Sequence, residues 1–169
     1  MSDKELELDT NRLLITKTDL NGKLIYCNQS FIEVSGFNEE QLFNQHFESI
    51  KHTDMPNGIF HLMWQTVRQK KEFNGYLKFR CHNGDSYWTF TNVTPFYNVT
   101  GSIAGYTYAM RQPNAAATMM FSMYYEQMKE QENGQSSDSS AKSSLKLLID
   151  LLSAMGDDYE ASVFKLQFS

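Results

Sequence analysis

The sequence predicts an α+β domain: two strands, several short helices, then three antiparallel strands, with the helices covering one face of a five-stranded sheet. Asn-Gly pairs at Asn21-Gly22 and Asn83-Gly84 sit between apolar runs. Both residue types tolerate positive φ, which makes the pair a strong hairpin signal. The stretch between the hairpins carries only short helical stripes, and such pieces hold only when packed on something else. The stretch 72–111 is dense in alternating aromatic and β-branched residues, which suit strands.

The first strand is RLLITKT at 12–18, and KLIYC at 23–27 returns from the Asn21-Gly22 turn. Asn28 then caps a short helix carrying Phe31, Ile32 and Val34, which Gly36 stops. Asn38 caps a second turn, with Glu39 and Glu40 where acids favour a helix start. Phe47 and Ile50 mark a further single turn. Pro56 opens a longer helix, from about Asn57 to Lys70, with Ile59, Phe60, Met63, Trp64 and Val67 on one side. Glu72 to Cys81 alternates Phe73, Gly75, Leu77 and Phe79 on one face. Asp85 to Tyr97 and Ile103 to Arg111 complete the sheet, with a turn at 98–102.

Beyond Pro113 the composition shifts. Residues 113–132 suit a helix rich in Met, Phe and Tyr, 133–144 read as a serine-rich flexible linker, and 145–169 as a short amphipathic helix and tail. Residues 1–9 form an N-terminal cap segment ahead of a domain at 10–112. Of a formal charge of −5, residues 113–169 carry −4, four lysines against eight acids, so this tail reads as a separate, acidic, interaction-prone unit. An acidic chain argues against nucleic acid as the main partner. No apolar run is long enough to span a bilayer, and the acidic, polar start is no secretory signal, so the expected location is cytoplasmic. Cys27 and Cys81 form no C-x-x-C pair and read as reduced thiols.

No Ser/His/Asp or Cys/His arrangement comes together and no Gly-rich phosphate loop is present, so the chain reads as non-enzymatic. His52-x-Asp54 lacks a third ligand for a metal. A binding pocket reads better. Lys51, His52 and Asp54 place a cation, an imidazole and a carboxylate at the start of the Asn57 helix, and Phe60, Met63 and Trp64 supply its apolar side. Asn28, Trp88 and Asn92 lie on or beside the sheet. Amides donate and accept together, which suits the edge of a heteroaromatic ring, and tryptophans offer stacking area. Ordinary core packing for at least one of Trp64 and Trp88 stays open, and His46 and His61 read as surface histidines rather than haem ligands.

The order of elements, Asn28-x-x-Phe31, Lys51-His52-x-Asp54-Met55-Pro56, Met63-Trp64 and Asn83-Gly84-Asp85-x-Tyr87-Trp88 followed by Asn92 and Pro95 resemble a PAS domain over about residues 10–112. More narrowly, they are similar to the PAS domain of bacterial aerotaxis receptors. The resemblance implies a sensory module that binds FAD non-covalently and reports redox state or oxygen to a chemotaxis or other signalling protein. It implies a flavin role for an Arg-His-x-Asp cluster, matched here by His52 and Asp54, with Lys51 in the arginine's place. Lysine keeps the charge and loses the planar fork. Haem b is the alternative cofactor, and a cofactor-free dimerisation module the alternative role. A homodimer and signalling through the 113–132 helix are further implications. The cysteine motif of light-sensing flavin domains is missing, since 38–47 holds no cysteine. No membrane anchor or long signalling helix is seen, which leaves a stand-alone sensor or a piece of a larger receptor.

Overall fold

The computed structural model describes residues 2–169. Its strands are β1 (Glu5–Leu6), β2 (Leu14–Asp19), β3 (Leu24–Cys27), β4 (Phe73–Arg80), β5 (Ser86–Tyr97) and β6 (Ile103–Arg111). They form one curled sheet in which β3, β2, β6, β5 and β4 are antiparallel neighbours. The two-residue β1 is an addition to the expected five strands and pairs in parallel with the start of β5, Glu5 opposite Ser86.

Helices α1 (Gln29–Ser35) and α2 (Glu39–Leu42), a 3-10 turn (Phe47–Ile50) and α3 (Asn57–Arg68) fill the span between β3 and β4, as the sequence predicts. Asn28 caps α1 by accepting from the Phe31 N–H, and Gly36 ends it in the left-handed conformation. Asn38 and Gln41 form a reciprocal capping box on α2. The turn glycine Gly22 has φ +82, and a Cβ there would meet the His46 ring at Nε2 and Trp64 at Cζ2, so both conformation and space require glycine.

The inner face of the sheet and the helices share one core. Phe47 sits at its centre, 4.5 Å from the Tyr108 ring and 5.1 Å from Phe79, with Phe31 at 6.3 Å. The outer face is covered too. Every residue of β4 from Phe73 to Phe79 is buried, although only alternate ones face the inner core.

The cover is the C-terminal region: α4 (Ala115–Glu132), α5 (Ser137–Ala154) and α6 (Tyr159–Gln167). Phe121 of α4 packs on Tyr76 and Tyr125 stacks on Trp88, while the Tyr125 hydroxyl donates to the Tyr76 carbonyl at 2.7 Å. Helix α6 closes the β4 edge, where Tyr76 donates to the Val163 carbonyl. Helix α5 packs along α3.

Two expectations change. Residues 133–144 were expected as a flexible linker, yet α5 begins at Ser137. Ser140, Ala141, Ser144, Leu145, Leu148 and Leu152 make a buried stripe at helical spacing, and packing outweighs the weak helix preference of serine. The C-terminal region was expected as a separate unit, whereas its helices pack on the sheet and on α3.

Candidate functional site

The segment 51–56 runs from the 3-10 turn to α3 and is pinned to β4. Lys51 bridges to Phe79, and the His52 N–H donates to the Lys78 carbonyl at 2.9 Å. Pro56 precedes α3 in extended conformation and gives it no side-chain cap. The first free N–H groups of α3, on Asn57 and Gly58, instead donate to the Glu132 carboxylate at 3.1 and 3.0 Å. Lys51 reaches Asn57 Oδ1 at 3.1 Å and lies 4.9 Å from the Phe60 ring centroid, a cation–π contact.

His52 and Asp54 pair as adjacent groups. Nδ1 of His52 accepts from the Asp54 N–H and lies 3.2 Å from Asp54 Oδ2. Burial and then the Lys78 ammonium lower the His52 pKa, with Asp54, Asp3 and Glu5 pulling the other way. The neutral ring is therefore favoured. Lys78 sits between Asp54 and Glu5, 3.1 Å from each, and 5.8 Å above the Trp88 ring. Only 11% of its side chain is exposed, so the acids offset its desolvation.

Two openings flank this segment. One, of about 700 Å³, lies between Asp54, Lys78 and Trp88 on one side and Met119, Tyr125 and Lys129 of α4 on the other. The second, of about 390 Å³, gathers Lys51, Arg80, Lys129 and His52 against Glu48. Its charge balance suits an anion.

The interior has a different character. Thr16 and Thr18 on β2 and Tyr87 on β5 point into the core, fully buried, and their hydroxyls make no hydrogen bond; Thr18 faces the Tyr108 phenol without a well-directed one. Buried polar groups are normally paired, and an unmet hydroxyl is costly. Such groups fit a guest with hydrogen-bonding edges, which a flavin ring has. Met63 is fully buried on α3 and belongs to the same core.

The sequence-predicted residues thus separate. Lys51 and Phe60 meet at the α3 entrance, and His52 and Asp54 meet Trp88 only through Lys78. Strand alternation puts Trp88 and Asn92 on the outer face with Phe90, opposite Tyr87. There Asn92 donates to Asn74 and Glu72. Asn28 is spent on structure, accepting from Ile15 and Phe31 and donating to the Leu13 carbonyl. Trp64 packs edge-on against Tyr106 and under Arg68. Both thiols are buried and free. Burial and then Asp85 push Cys81 up to about 11, and burial and then Glu39 raise Cys27.

Sequence reasoning missed Glu5, Thr16, Thr18, Lys78, Arg80 and Glu132. Alternation along β4 was the available signal for Lys78, a cation in a strand buried on both faces. Nothing in the sequence marks Glu132, because the α3 amides it caps lie 74 and 75 residues away. Among the described residues no group of three His, Cys, Asp or Glu is placed to hold a metal ion.

Comparison with known proteins fits this architecture. The chain is 36% identical over 93 residues to an aerotaxis receptor of Escherichia coli K12, covering 55% of this chain and 18% of that protein. It is 29% identical over 105 residues to a nitrogen fixation regulatory protein of Klebsiella oxytoca, covering 62% of this chain and 21% of the other. The chain therefore spans about a fifth of the length of these curated relatives. Among solved structures it is similar in fold to the blue-light photoreceptor Aureochrome1 LOV in its dark state (TM-score 0.54, 12% identity, 70% of this chain and 83% of that one). An RNA-binding light-oxygen-voltage receptor is similar at TM-score 0.56 and 12% identity, over 72% of this chain and 34% of that one. The family model for the PAS fold matches residues 24–108, half of the chain and most of the sheet and its inner helices, and the chain belongs to the PAS family.

Proposed function

We propose that this PAS sensory domain binds FAD and reports redox state or oxygen, in the manner its similarity to an aerotaxis receptor suggests. The observation that carries the reading is the set of unpaired buried hydroxyls of Thr16, Thr18 and Tyr87 on the inner sheet face. They would hold the ring beneath α3, with Met63 and Phe60 as apolar contacts. The cationic opening of Lys51, Arg80 and Lys129 beside His52 would receive the phosphates. Arg80 supplies there the guanidinium fork that Lys51 lacks. A flavin supplies reversible electron uptake, which changes the charge and hydrogen bonding of its ring. The residues around it exclude water and set which ring state the hydroxyls favour. His52 and Asp54 hold segment 51–56 against β4, which fixes the entrance.

Movement of α3, and movement passed from β6 into α4, would carry the response onward to a second copy of the chain or to a chemotaxis signalling protein.

The test is an absorption spectrum of protein purified in the dark, then of the supernatant after denaturation. The twin near-ultraviolet and blue bands of oxidised flavin, released by denaturation, are expected. Asp54→Ala and His52→Ala should each lower the flavin retained, and full retention in both removes that pair from the site. A Soret band would transfer the assignment to haem. A flat spectrum after incubation with FAD and haemin would leave a cofactor-free interaction module.

A further inference from the structure

The α3 helix is finished by a residue of the C-terminal region. Pro56 offers no cap, and Glu132, the last residue of α4, supplies both carboxylate oxygens to the Asn57 and Gly58 N–H groups. The Ser144 hydroxyl of α5 donates to the same Oε1 at 2.6 Å. One buried carboxylate thus joins α3, α4 and α5. It is only 9% exposed, and the positive end of the α3 dipole supports its charge.

The seat beside it is shaped for close approach. A Cβ on Gly58 would collide with Ser144 Oγ and stand 2.9 Å from both the Leu145 peptide nitrogen and the Met128 methyl. Gly58 sits in the first turn of α3 at ordinary φ, so its conformation alone does not call for glycine. Its use there is explained by the seat for α5.

From this geometry we infer that Glu132, Ser144 and Gly58 form a latch that docks α5 onto the sensory core and reads the position of the α3 N-terminus. Helix α3 covers the core interior through Ile59, Phe60, Met63 and Val67, so a change there moves the two N–H groups that hold Glu132. Bonds of 3.0 and 3.1 Å are lost with a shift of about 1 Å. Release uncovers the stripe of Ala141, Leu145, Leu148 and Leu152, which then becomes available to another surface. The docked and released arrangements are the two states that a switch requires. This path runs from α3 directly into the C-terminal helices, beside the route along β6 into α4. It rests on the Glu132 hydrogen bonds and the Gly58 seat, and holds whatever occupies the interior.

Hydrogen exchange on the full chain tests it, with Glu132→Ala, Gly58→Ala and the exposed control Glu130→Ala. Losing hydrogen bonds to a charged group should raise exchange of the Asn57, Gly58 and α5 amides by about 10- to 100-fold in Glu132→Ala. The β5 and β6 amides should keep their protection, and Glu130→Ala should match the parent. Gly58→Ala retains the carboxylate and blocks the seat, so it should free α5 alone by a similar factor. Deprotection of Asn57 and Gly58 with α5 unchanged would reduce Glu132 to a simple cap and overturn the latch. Loss of protection through β5 and β6 in both variants would also overturn it, because α5 would then be part of one indivisible core.

Discussion

The two faces of the central sheet carry similar aromatic and hydroxyl side chains, yet their polar groups are completed differently. On the outer face Tyr125 donates to Tyr76, Tyr76 to Val163, Asn92 to Asn74, and Lys78 is held by Glu5 and Asp54. On the inner face Thr89 and Thr91 bond to each other and Thr89 to the Leu77 carbonyl, but Thr16, Thr18 and Tyr87 are buried without partners. Tyr159, at the β4 edge, is the one unpaired phenol on the C-terminal side, and its ring stacks on Phe73. A face closed by the chain's own helices can be satisfied permanently. A face that is to receive a guest must leave hydrogen-bonding capacity unspent, at a cost in stability when the guest is absent.

The largest effect that bears on this contrast is loss of the outer cover. Phe121 is fully buried between Tyr76, Tyr124, Tyr125 and Tyr159. Phe121→Ala should lower unfolding free energy by about 3–5 kcal/mol in urea titration. An unchanged midpoint would mean the C-terminal helices unfold apart from the sheet, and the outer face would then not be closed in any lasting sense.

The same substitution on each face gives a sharper comparison. Tyr125→Phe removes a bonded hydroxyl and should destabilise by about 1–2 kcal/mol. Tyr87→Phe removes an unpaired one, so the ligand-free protein should be unchanged or more stable. Burial raises both phenols well above their usual pKa, so neither ionises in the experiment. Equal losses in thermal denaturation would erase the distinction between the faces.

A smaller effect is expected at Thr16→Val, which keeps the shape and drops the hydroxyl. Ligand-free stability should hold or rise by up to about 1 kcal/mol, while the flavin released on denaturation falls. A stabilised variant that keeps all its flavin would detach Thr16 from the proposed contact.

His52 gives the smallest effect. Its pKa lies below the ordinary 6.5, so the unfolded chain takes up a proton before the folded one does. Its contribution is complete above about pH 6.5 and is lost as pH falls from there through the depressed value. The melting temperature of His52→Gln should therefore decline less over that window than that of the parent. Identical slopes would place the acid sensitivity elsewhere.

Much of the sheet was legible because its signals are local. Asn21-Gly22 and Asn83-Gly84 place glycine at φ +82 and +98, and Asn28 and Asn38 cap the helices they precede. The site was legible only in part. Lys51 and Phe60 do meet, but Asn28 proves to be fully engaged in backbone contacts, and Trp88 and Asn92 fall on the outer face. The order of strands in the sheet, and with it the side each face turns to the helices, is a long-range property that a residue's neighbours in sequence do not carry.

The sequence by itself determined the α+β order, the turns, the apolar stripe of α3 and the PAS resemblance, because each rests on residues a few positions apart. Tertiary structure alone decided that a serine-rich stretch becomes helix α5, since Ser140, Ala141 and Ser144 are small enough to let α5 approach α3 at Gly58. It likewise decided that Glu132 caps α3 and that three inner hydroxyls go unpaired. Those outcomes follow from which distant groups meet out of water, where a missing or supplied hydrogen bond matters most.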